Sequence, residues 1–286
     1  MHKFRYVRNQ LHCENISIRS LAKKHGTPLY VYSSQTLTDN FNQLHEALTP
    51  FDHLICFAVK SNSNLGVLNT LSNLGSGFDT VSGGEIQRVV AAGGDPRKCV
   101  FAGVGKTEDE ISFALRKNIY CFNVESEPEL TRINQIANKL NKKAPIAIRV
   151  NPNVDAKTHK KITTGTYENK FGIAYEKIPA VYARANKLKN IKLRGLQMHI
   201  GSQLTQVKPF EEAVCKVAPM AAKLKTKYGI EFLSIGGGIG IMYEDALASG
   251  DPKGWNRKEA KNILPPEKYA ATLVPLLEPL GLKVLL

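Results

Sequence analysis

The sequence predicts an α/β fold, a (β/α)₈ barrel, and three observations support that prediction. Eight short apolar runs recur along the 286 residues, each followed by polar or glycine residues and then by a segment with helical spacing. This alternation implies parallel strands joined by crossover helices. Polar residues with reactive side chains come directly after several runs, at the strand ends where barrels carry their chemistry. A doubly wound open sheet is the alternative.

The eight predicted strands are short and rich in apolar residues. Helix starts lie between them: Thr107 to Glu110 forms a capping box, and Ser126 precedes a Glu-Pro-Glu start. A third helix is indicated by the apolar spacing of Phe210, Ala213, Val214, Val217, Ala221 and Leu224. The predicted strands cover residues 54–59, 78–82, 99–103, 121–125, 146–150, 193–200, 232–236 and 282–286.

Composition narrows the class of protein. The apolar fraction of 43% allows a full core, and the net charge of +14 is spread over many predicted helices. We expect no nucleic-acid partner, because no dense basic stripe with interleaved aromatic residues occurs. No apolar stretch is long enough for a membrane span, and the first residues lack the apolar core of a secretion signal. The five cysteines form no CxxC pair, which predicts reduced thiols in a cytoplasmic protein and no metal site.

Lys60 follows the first apolar run directly. An amine at the end of a buried strand is poorly hydrated, so we expect its pKa to fall and its neutral, nucleophilic form to become available. Such an amine is suited to forming a Schiff base with an aldehyde. The alternative is a lysine that ends a strand by extending into solvent.

Two further segments suggest a phosphate site and a ring-binding site. The consecutive glycines Gly236, Gly237 and Gly238 follow the seventh run, and their backbone N–H groups can approach an anion closely. Their alternative role is a flexible turn. After the sixth run, His199 can stack on a flat ring and the hydroxyl of Ser202 can bind phosphate. A histidine at this position can instead be a hydrogen-bonded structural residue.

Three charged residues complete the pattern. Asp79 is a carboxylate within a predicted strand, which is costly unless it is paired, and its simpler role is to anchor a neighbouring lysine or backbone N–H. Glu85 can belong to the first turn of the next helix, and Arg149 can be an ordinary ion-pair partner at a strand end. A lysine amine, a phosphate cradle, a stacking histidine and buried acids together describe a pocket for pyridoxal 5′-phosphate.

Longer motifs carry a family resemblance over nearly the whole chain. They are FAVKSN at 57–62, FDTVSGGE at 78–85, IRVNPNVDAKTH at 148–159, TGTYENKFGI at 164–173, GLQMHIGSQ at 195–203 and SIGGGIG at 234–240. On these motifs the chain resembles the diaminopimelate decarboxylase family, within the alanine-racemase-like group of barrel enzymes that use pyridoxal phosphate. The lysine, His-Ile-Gly-Ser and triple-glycine motifs are shared with ornithine and arginine decarboxylases. The motifs between residues 148 and 172 are more particular to diaminopimelate decarboxylase.

The resemblance implies a role for each candidate residue. Lys60 is the catalytic residue and carries the cofactor, His199 stacks on its pyridine ring, and Ser202 with Gly236 to Gly238 binds its phosphate. The remaining positions that support the cofactor and Lys60 are Asp79, Glu85 and Arg149. The implied reaction is decarboxylation of meso-2,6-diaminopimelate to L-lysine, the last step of lysine biosynthesis, by a homodimer.

The resemblance also implies how the chain is divided, and one departure from the family. Residues 1–30 correspond to a segment that joins a C-terminal β-domain, and residues 31–286 to the cofactor barrel. The family continues after the eighth strand with a Glu-Pro-Gly-Arg motif and that β-domain, whereas this sequence ends at Leu286. We therefore expect the β-domain to be missing, cofactor binding to be weak or absent, and useful decarboxylase activity to be lacking.

Three other functions fit parts of the sequence. The substrate can be ornithine or arginine, since those decarboxylases share the main motifs. The chain can be a barrel that binds pyridoxal phosphate without catalysing a reaction. It can also be a phosphate-binding aldolase that uses Lys60 without a cofactor, but this leaves His199, Ser202 and the motifs at 148–172 unexplained.

Overall fold

The computed structural model describes residues 3–154, 171–241 and 264–286. Its first part is a small antiparallel sheet of β1 (Phe4–Val7), β2 (Gln10–Cys13) and β3 (Ile16–Ser17), followed by α1 (Ile18–His25). The carboxylate of Glu14 joins this unit to the next helix, because it accepts hydrogen bonds from Ser33 Oγ at 2.7 Å and Gln35 N at 2.9 Å. The sequence patterns did not predict this sheet.

Parallel strands form a closed barrel in the middle of the molecule. Its first strand has two segments, β4 and β5, separated by Ile55; β4 pairs with the last strand and β5 with the second, which closes the sheet. The predicted (β/α)₈ barrel is confirmed, and the open doubly wound alternative is wrong. The strands are β4 (His53–Leu54), β5 (Cys56–Ala58), β6 (Gly77–Thr80), β7 (Cys99–Phe101), β8 (Cys121–Val124), β9 (Ala144–Asn151), β10 (Ile173–Ala174, paired only with β9), β11 (Ile191–Gln197), β12 (Phe232–Ser234) and β13 (Lys283–Leu285).

Helices surround the barrel, and two of them begin at the caps predicted from the sequence, Thr107 and Ser126. Thr107 accepts a hydrogen bond from Glu110 N while the Glu110 side chain accepts from Thr107 N, which is the predicted capping box. Ser126 caps the following helix through Glu129 N. The helices are α2 (Ser34–Ala47), α3 (Leu65–Asn73), α4 (Gly83–Ala91), α5 (Glu108–Lys117), α6 (Glu127–Lys139), α7 (Ile178–Ala185), α8 (Lys208–Tyr228) and α9 (Pro266–Leu277). None of these helices, in the part of the chain that the structure describes, is long and apolar enough to cross a membrane.

The barrel has apolar contacts on both faces. Ile148, Leu196 and Leu233 lie in register on neighbouring strands and pack in the main core with the helices. Ala147 and Phe232 lie one position away, so their side chains face the other way, into a small cluster within the barrel. A (β/α)₈ barrel is thus a filled core, and the polar inner-face residues Asp79, Arg149 and Gln197 lie near its carboxyl end.

The ends of the observed strands differ from the predicted runs by up to three residues, as the first and sixth runs show. The run predicted as 54–59 ends as a strand at Ala58, because Ser61 Oγ donates to Ala58 O at 2.7 Å and Asn62 N donates to Val59 O at 3.1 Å. These local bonds form a 3₁₀ turn, Val59–Ser61, in place of further sheet pairing. The run predicted as 193–200 ends at Gln197. The motif residues 155–170 lie outside the described part of the chain.

Candidate active site

The candidate side chains lie at the carboxyl rim of the barrel, as predicted. Their charges interact, since Lys60 influences the pKa of both Asp79 and His199, and Arg149 influences the same two groups. In chain order, Lys60 lies in the turn after β5, Asp79 in β6, Glu85 in the first turn of α4, Arg149 in β9, His199 and Ser202 after β11, and Gly236 to Gly238 after β12.

The environment of Lys60 differs from the prediction. The residue is exposed, so the expected burial of its amine is wrong. The reason is local: the strand ends two residues earlier, at Ala58, and the 3₁₀ turn brings position 60 to the rim. The amine is therefore accessible to a ligand from solvent.

Asp79 lies on the inner face of the barrel, in register with Ala58 on one side and Val100 on the other. Burial raises the pKa of its carboxyl group to about 6, although the nearby positive charges of Lys60 and Arg149 act in the opposite direction. A carboxylate with this pKa changes its protonation state close to neutral pH. Asp79 can thus exchange a proton with groups at the rim under mild conditions.

His199 is held neutral by its surroundings. Burial, together with the positive charges of Arg149 and Lys60, lowers the pKa of its imidazole to about 3. The ring lies beside the glycine triplet: a Cβ atom on Gly236 would come 2.8 Å from His199 Nδ1 and 2.6 Å from Met198 O. A neutral imidazole next to a glycine backbone is suited to stacking on a planar ring, and this role of His199 stays a prediction.

Arg149 is bound to a residue that the sequence patterns did not single out. Its guanidinium donates to Glu125 Oε1 at 2.7 Å, and both side chains are almost fully buried. The Glu125 carboxylate also accepts from Gly172 N at 2.9 Å, and the Phe171 ring lies 4.8 Å from the guanidinium carbon. Glu125 ends the predicted run 121–125, and a buried carboxylate there needs a partner, which is the signal that could have identified it.

A second buried ion pair supports the first. Lys106 Nζ lies 2.6 Å from Glu129 Oε1 and also donates to Asn123 O at 2.9 Å. Glu129 in turn accepts from the backbone N–H of Glu125 at 2.7 Å. The two pairs therefore fix the backbone that carries Glu125, and through it the position of Arg149.

The three glycines have different surroundings. Gly236 and Gly238 have φ angles of +71° and +108°, and a Cβ at Gly238 would overlap Gly201 O. Gly237 has no heavy atom within 4 Å of the place where a Cβ would be, so open space lies beside it. Ser202, on the neighbouring loop, is exposed. The open space next to Gly237 is where an anion can approach backbone N–H groups.

Glu85 has the local role that was its simpler interpretation. Its carboxylate accepts a hydrogen bond from Val81 N at 2.7 Å, and its own N–H donates to Ser82 Oγ at 3.2 Å. These bonds cap the start of α4. Its charge nevertheless raises the pKa of Asp79, so Glu85 still belongs to the electrostatic environment of the site.

The residues at the rim fit pyridoxal phosphate. Lys60 offers an exposed amine, His199 a neutral ring, and Gly237 a backbone beside open space. In the described part of the chain, Gln197 Oε1 is a buried oxygen without a hydrogen-bond partner, and Gln197 lies in register with Arg149 on the inner face. A buried polar atom of this kind is commonly satisfied by a ligand or an ordered water.

A cleft at the other end of the barrel is a poorer candidate. Its volume is about 350 Å³ and it is lined partly by Lys142, Lys192 and Arg194. Lys142 already donates to the carbonyl of Leu115, and both Lys192 and Arg194 pair with Glu231. Residues at the amino ends of barrel strands commonly serve stability, and these contacts agree with that.

Comparison with known families decides the class of protein. A family model described as pyridoxal-dependent decarboxylase, pyridoxal binding domain, matches residues 34–270. The chain belongs to the pyridoxal-dependent decarboxylase family. The family that the sequence motifs predicted is thus confirmed, and pyridoxal phosphate is its cofactor.

Diaminopimelate decarboxylases are among the relatives of this pyridoxal-dependent decarboxylase chain. One from Vibrio cholerae is 52% identical over 239 residues, and one from Pseudomonas aeruginosa is 50% identical over 246 residues. These matches cover 83% and 86% of the chain but only 57% and 59% of the relatives. The chain therefore spans a little more than half the length of the relatives that it matches.

Solved structures of pyridoxal-dependent decarboxylases have the same fold. Diaminopimelate decarboxylase from Helicobacter pylori, complexed with L-lysine, superposes with a TM-score of 0.84 at 39% identity, covering 93% of this chain and 64% of that one. Diaminopimelate decarboxylase from M. jannaschii, also complexed with L-lysine, superposes with a TM-score of 0.85 at 33% identity, covering 99% of this chain and 65% of that one. The barrel described above is therefore the fold that these decarboxylases share.

Proposed function

We propose that the chain is the cofactor-binding barrel of a diaminopimelate decarboxylase, with pyridoxal 5′-phosphate attached to Lys60. The observation that carries the proposal is the convergence of Lys60, Asp79 and His199, together with the open glycine loop, at one rim of the barrel. The proposed reaction is the decarboxylation of meso-2,6-diaminopimelate to L-lysine. The L-lysine bound in related structures supports a ligand of this class.

Each residue has a chemical task in this proposal. When bound, pyridoxal phosphate supplies an electron sink that stabilises the carbanion left by loss of CO₂. Lys60 Nζ would hold the cofactor at its aldehyde group. His199 stacks as a neutral ring, because a pKa of about 3 keeps it uncharged at neutral pH. The hydroxyl of Ser202 and the N–H groups of the loop 236–238 donate hydrogen bonds to phosphate.

The charged residues around the amine act as support. Asp79 and Arg149 lie close enough to Lys60 and His199 to set the local charge, and the pKa of about 6 lets Asp79 hold or release a proton at its carboxyl oxygen near neutral pH. Glu85 contributes negative charge while it caps α4. Their expected role is to maintain the protonation states of the reacting groups, without direct contact with substrate.

The rest of the proposal concerns the longer protein of this family. Residues 31–286 form the cofactor barrel, and residues 1–30 join another domain; the exposed Tyr6 and Tyr30 of that segment support a partner surface there. We further infer a homodimer located in the cytoplasm. The five free cysteines are consistent with a reducing compartment.

Attachment of the cofactor to Lys60 can be tested directly. Because weak binding is expected, the purified chain is incubated with a large excess of pyridoxal phosphate, treated with borohydride and analysed by peptide mass spectrometry. The expected result is a reduced pyridoxyl group on Lys60, accompanied by an absorbance band that is lost in Lys60→Ala. Lys98→Ala is a matched control, because this half-buried lysine precedes β7 directly, at the end of the strand opposite the rim. Equal labelling of wild type and Lys60→Ala would disprove the proposal.

The substrate is tested separately. Release of CO₂ is measured with meso-diaminopimelate, ornithine and arginine, and the products lysine, putrescine and agmatine are separated. Formation of lysine supports the proposed reaction. Formation of putrescine or agmatine instead would show that the substrate is ornithine or arginine. Cofactor attachment without turnover of any of the three would support the second candidate, a non-catalytic cofactor barrel.

A further inference from the structure

Two loops meet at the predicted phosphate site. One follows β11 and contains Ser202, and the other follows β12 and contains the glycine triplet at 236–238. Leu204 N donates to Gly238 O at 2.8 Å, and Gly240 N donates to Leu204 O at 2.8 Å. These two bonds form one isolated parallel bridge, Leu204 with Ile239, beyond the ends of the barrel strands.

Gln203 extends this bridge with its side chain. The amide oxygen accepts a hydrogen bond from Ile241 N at 3.0 Å, and the amide nitrogen donates to Ile241 O. The side chain therefore engages both backbone groups of one residue, as a neighbouring strand residue does in a sheet. A single bridge without this addition would be short and exposed to solvent at its end.

The backbone of Gln203 adopts an unfavourable conformation in order to make the contact with Ile241. Its φ angle is +62°, a left-handed conformation that glycine and asparagine adopt more readily than glutamine. Such conformations persist when surrounding contacts hold them, and they concentrate at functional sites. The tight approach of Gly240, where a Cβ would come 3.0 Å from the carbonyl carbon of Gln203, is part of the same contact.

We propose that Gln203 is a positioning residue that holds the Ser202 loop and the glycine loop together, in the arrangement that binds the cofactor phosphate. This inference rests on the proposed function, because the phosphate is that of pyridoxal phosphate. Gln203 touches no part of the reaction itself. It acts through Ile241 and the bridge, and the property that it controls is affinity for the phosphate group.

The test uses the difference between pyridoxal phosphate and pyridoxal, which lacks the phosphate. Gln203→Met keeps a side chain of similar length without the two amide bonds. We expect it to weaken binding of pyridoxal phosphate about tenfold, and binding of pyridoxal by less than about twofold, in absorbance titrations of the purified chain. Gln206→Met, at an exposed position on the same loop, is the matched control and should bind both as wild type does.

A second variant separates the amide bonds from the backbone conformation. Gln203→Gly adopts a positive φ without strain but lacks the side chain. If the side-chain bonds hold the loops, this variant should lose affinity for pyridoxal phosphate as Gln203→Met does. Wild-type affinity in either variant, or an equal loss for pyridoxal and pyridoxal phosphate, would overturn the inference.

Amide hydrogen exchange tests the same residue without any cofactor. In Gln203→Met the amides of Leu204, Gly240 and Ile241 should exchange at least about tenfold faster than in wild type, because their bonds depend on the joined loops. Unchanged exchange at these three amides contradicts the role of Gln203. If wild type fails to attach pyridoxal phosphate at Lys60, the proposed function is wrong, and hydrogen exchange still decides whether Gln203 joins the loops.

Discussion

At the scale of single residues, the rim is organised by charges that compensate one another. Arg149 carries a buried positive charge, and Glu125 lies against it, so neither has to be stabilised by solvent. The sequence identified Arg149 but not Glu125, because their contact joins two strands 24 positions apart. Patterns within one strand can predict that a buried charge needs a partner, but they do not identify which residue supplies it.

Glu125→Gln measures how much the buried ion pair between Arg149 and Glu125 contributes to the free energy of unfolding. The substitution keeps the size of the side chain but leaves the guanidinium of Arg149 without a buried countercharge, so we expect a loss of about 3 kcal/mol in the free energy of unfolding by urea. Glu127→Gln is the matched control, since its ion pair with Arg184 is largely exposed and should contribute less than about 0.5 kcal/mol. Similar losses in the two variants would contradict this assignment.

The neutral imidazole of His199 predicts a pH dependence of stability. Burial lowers its pKa to about 3, whereas the ordinary value in an unfolded chain is 6.5. Below pH 6.5 the unfolded chain therefore binds a proton that the folded chain does not, and the free energy of unfolding falls as the pH falls toward 3. When the pH falls from 7.5 to 5, the free energy of unfolding of wild type should decrease by about 2 kcal/mol more than that of His199→Phe. Equal losses, measured by urea unfolding, would show that His199 is charged when folded.

At the scale of elements, helix caps connect neighbouring βα units. Glu110 belongs to the capping box of α5, and its Oε1 also accepts from Gly83 N, in the first turn of α4, at 2.9 Å. The capping box itself was predicted from four consecutive residues. Its contact with α4 was not, because helix packing around the barrel decides which N–H group lies within reach.

Glu110→Ala should therefore cost more than an ordinary cap. It removes the acceptor for Thr107 N and for Gly83 N, so we expect a loss of about 1–2 kcal/mol in the free energy of unfolding. Glu108→Ala, in the same turn, removes an exposed, solvent-screened ion pair with Lys139 and should leave the free energy of unfolding nearly unchanged. A cost at position 110 no greater than that at position 108 would argue against the link between the two helices.

Buried parallel strands were predicted well from the sequence, whereas turns and the exposed antiparallel sheet were not. The run 121–125 became β8 with one residue fewer, since apolar residues buried on both faces are a strong signal. The run 54–59 turned at Val59, because hydropathy does not reveal the hydrogen bonds that the Ser61 hydroxyl and the Asn62 N–H donate to the backbone. The antiparallel sheet β1 to β3 has weak periodicity and exposed side chains, so its pattern carried no comparable signal.

At the scale of the whole molecule, the barrel interior leaves little room for larger side chains. A Cβ on Gly195 would lie 2.5 Å from the ring of Phe232, which is fully buried and packs against Tyr120. Position 195 thus requires glycine for steric reasons, although it lies in the motif 195–203, which also contains the candidate site residues His199 and Ser202. The sequence predicted which residues lie at the carboxyl rim, because they follow the ends of apolar runs. It did not predict the polar contacts of Glu125 and Gln203, because those join residues that only the closed barrel brings together.

Gly195→Ala should be destabilising by about 1–3 kcal/mol, because the added methyl group overfills the interior. Gly105→Ala, where a Cβ meets no heavy atom within 4 Å, should change the free energy of unfolding by less than about 0.5 kcal/mol. The smaller side chain in Phe232→Leu should reduce the cost of Gly195→Ala when the two are combined. Additive losses in that double-mutant cycle would exclude the steric explanation.

The closure of the barrel has a consequence for synthesis in the cell. Segment β4 pairs with β13, and Lys283 bonds to Asp52 across that seam, 231 positions apart. At translation rates of 5–20 residues per second, the first strand waits on the order of 10–50 s on the ribosome for its partner. Its unpaired edge can meanwhile pair with another nascent chain, so we expect this protein to depend on chaperones during that interval.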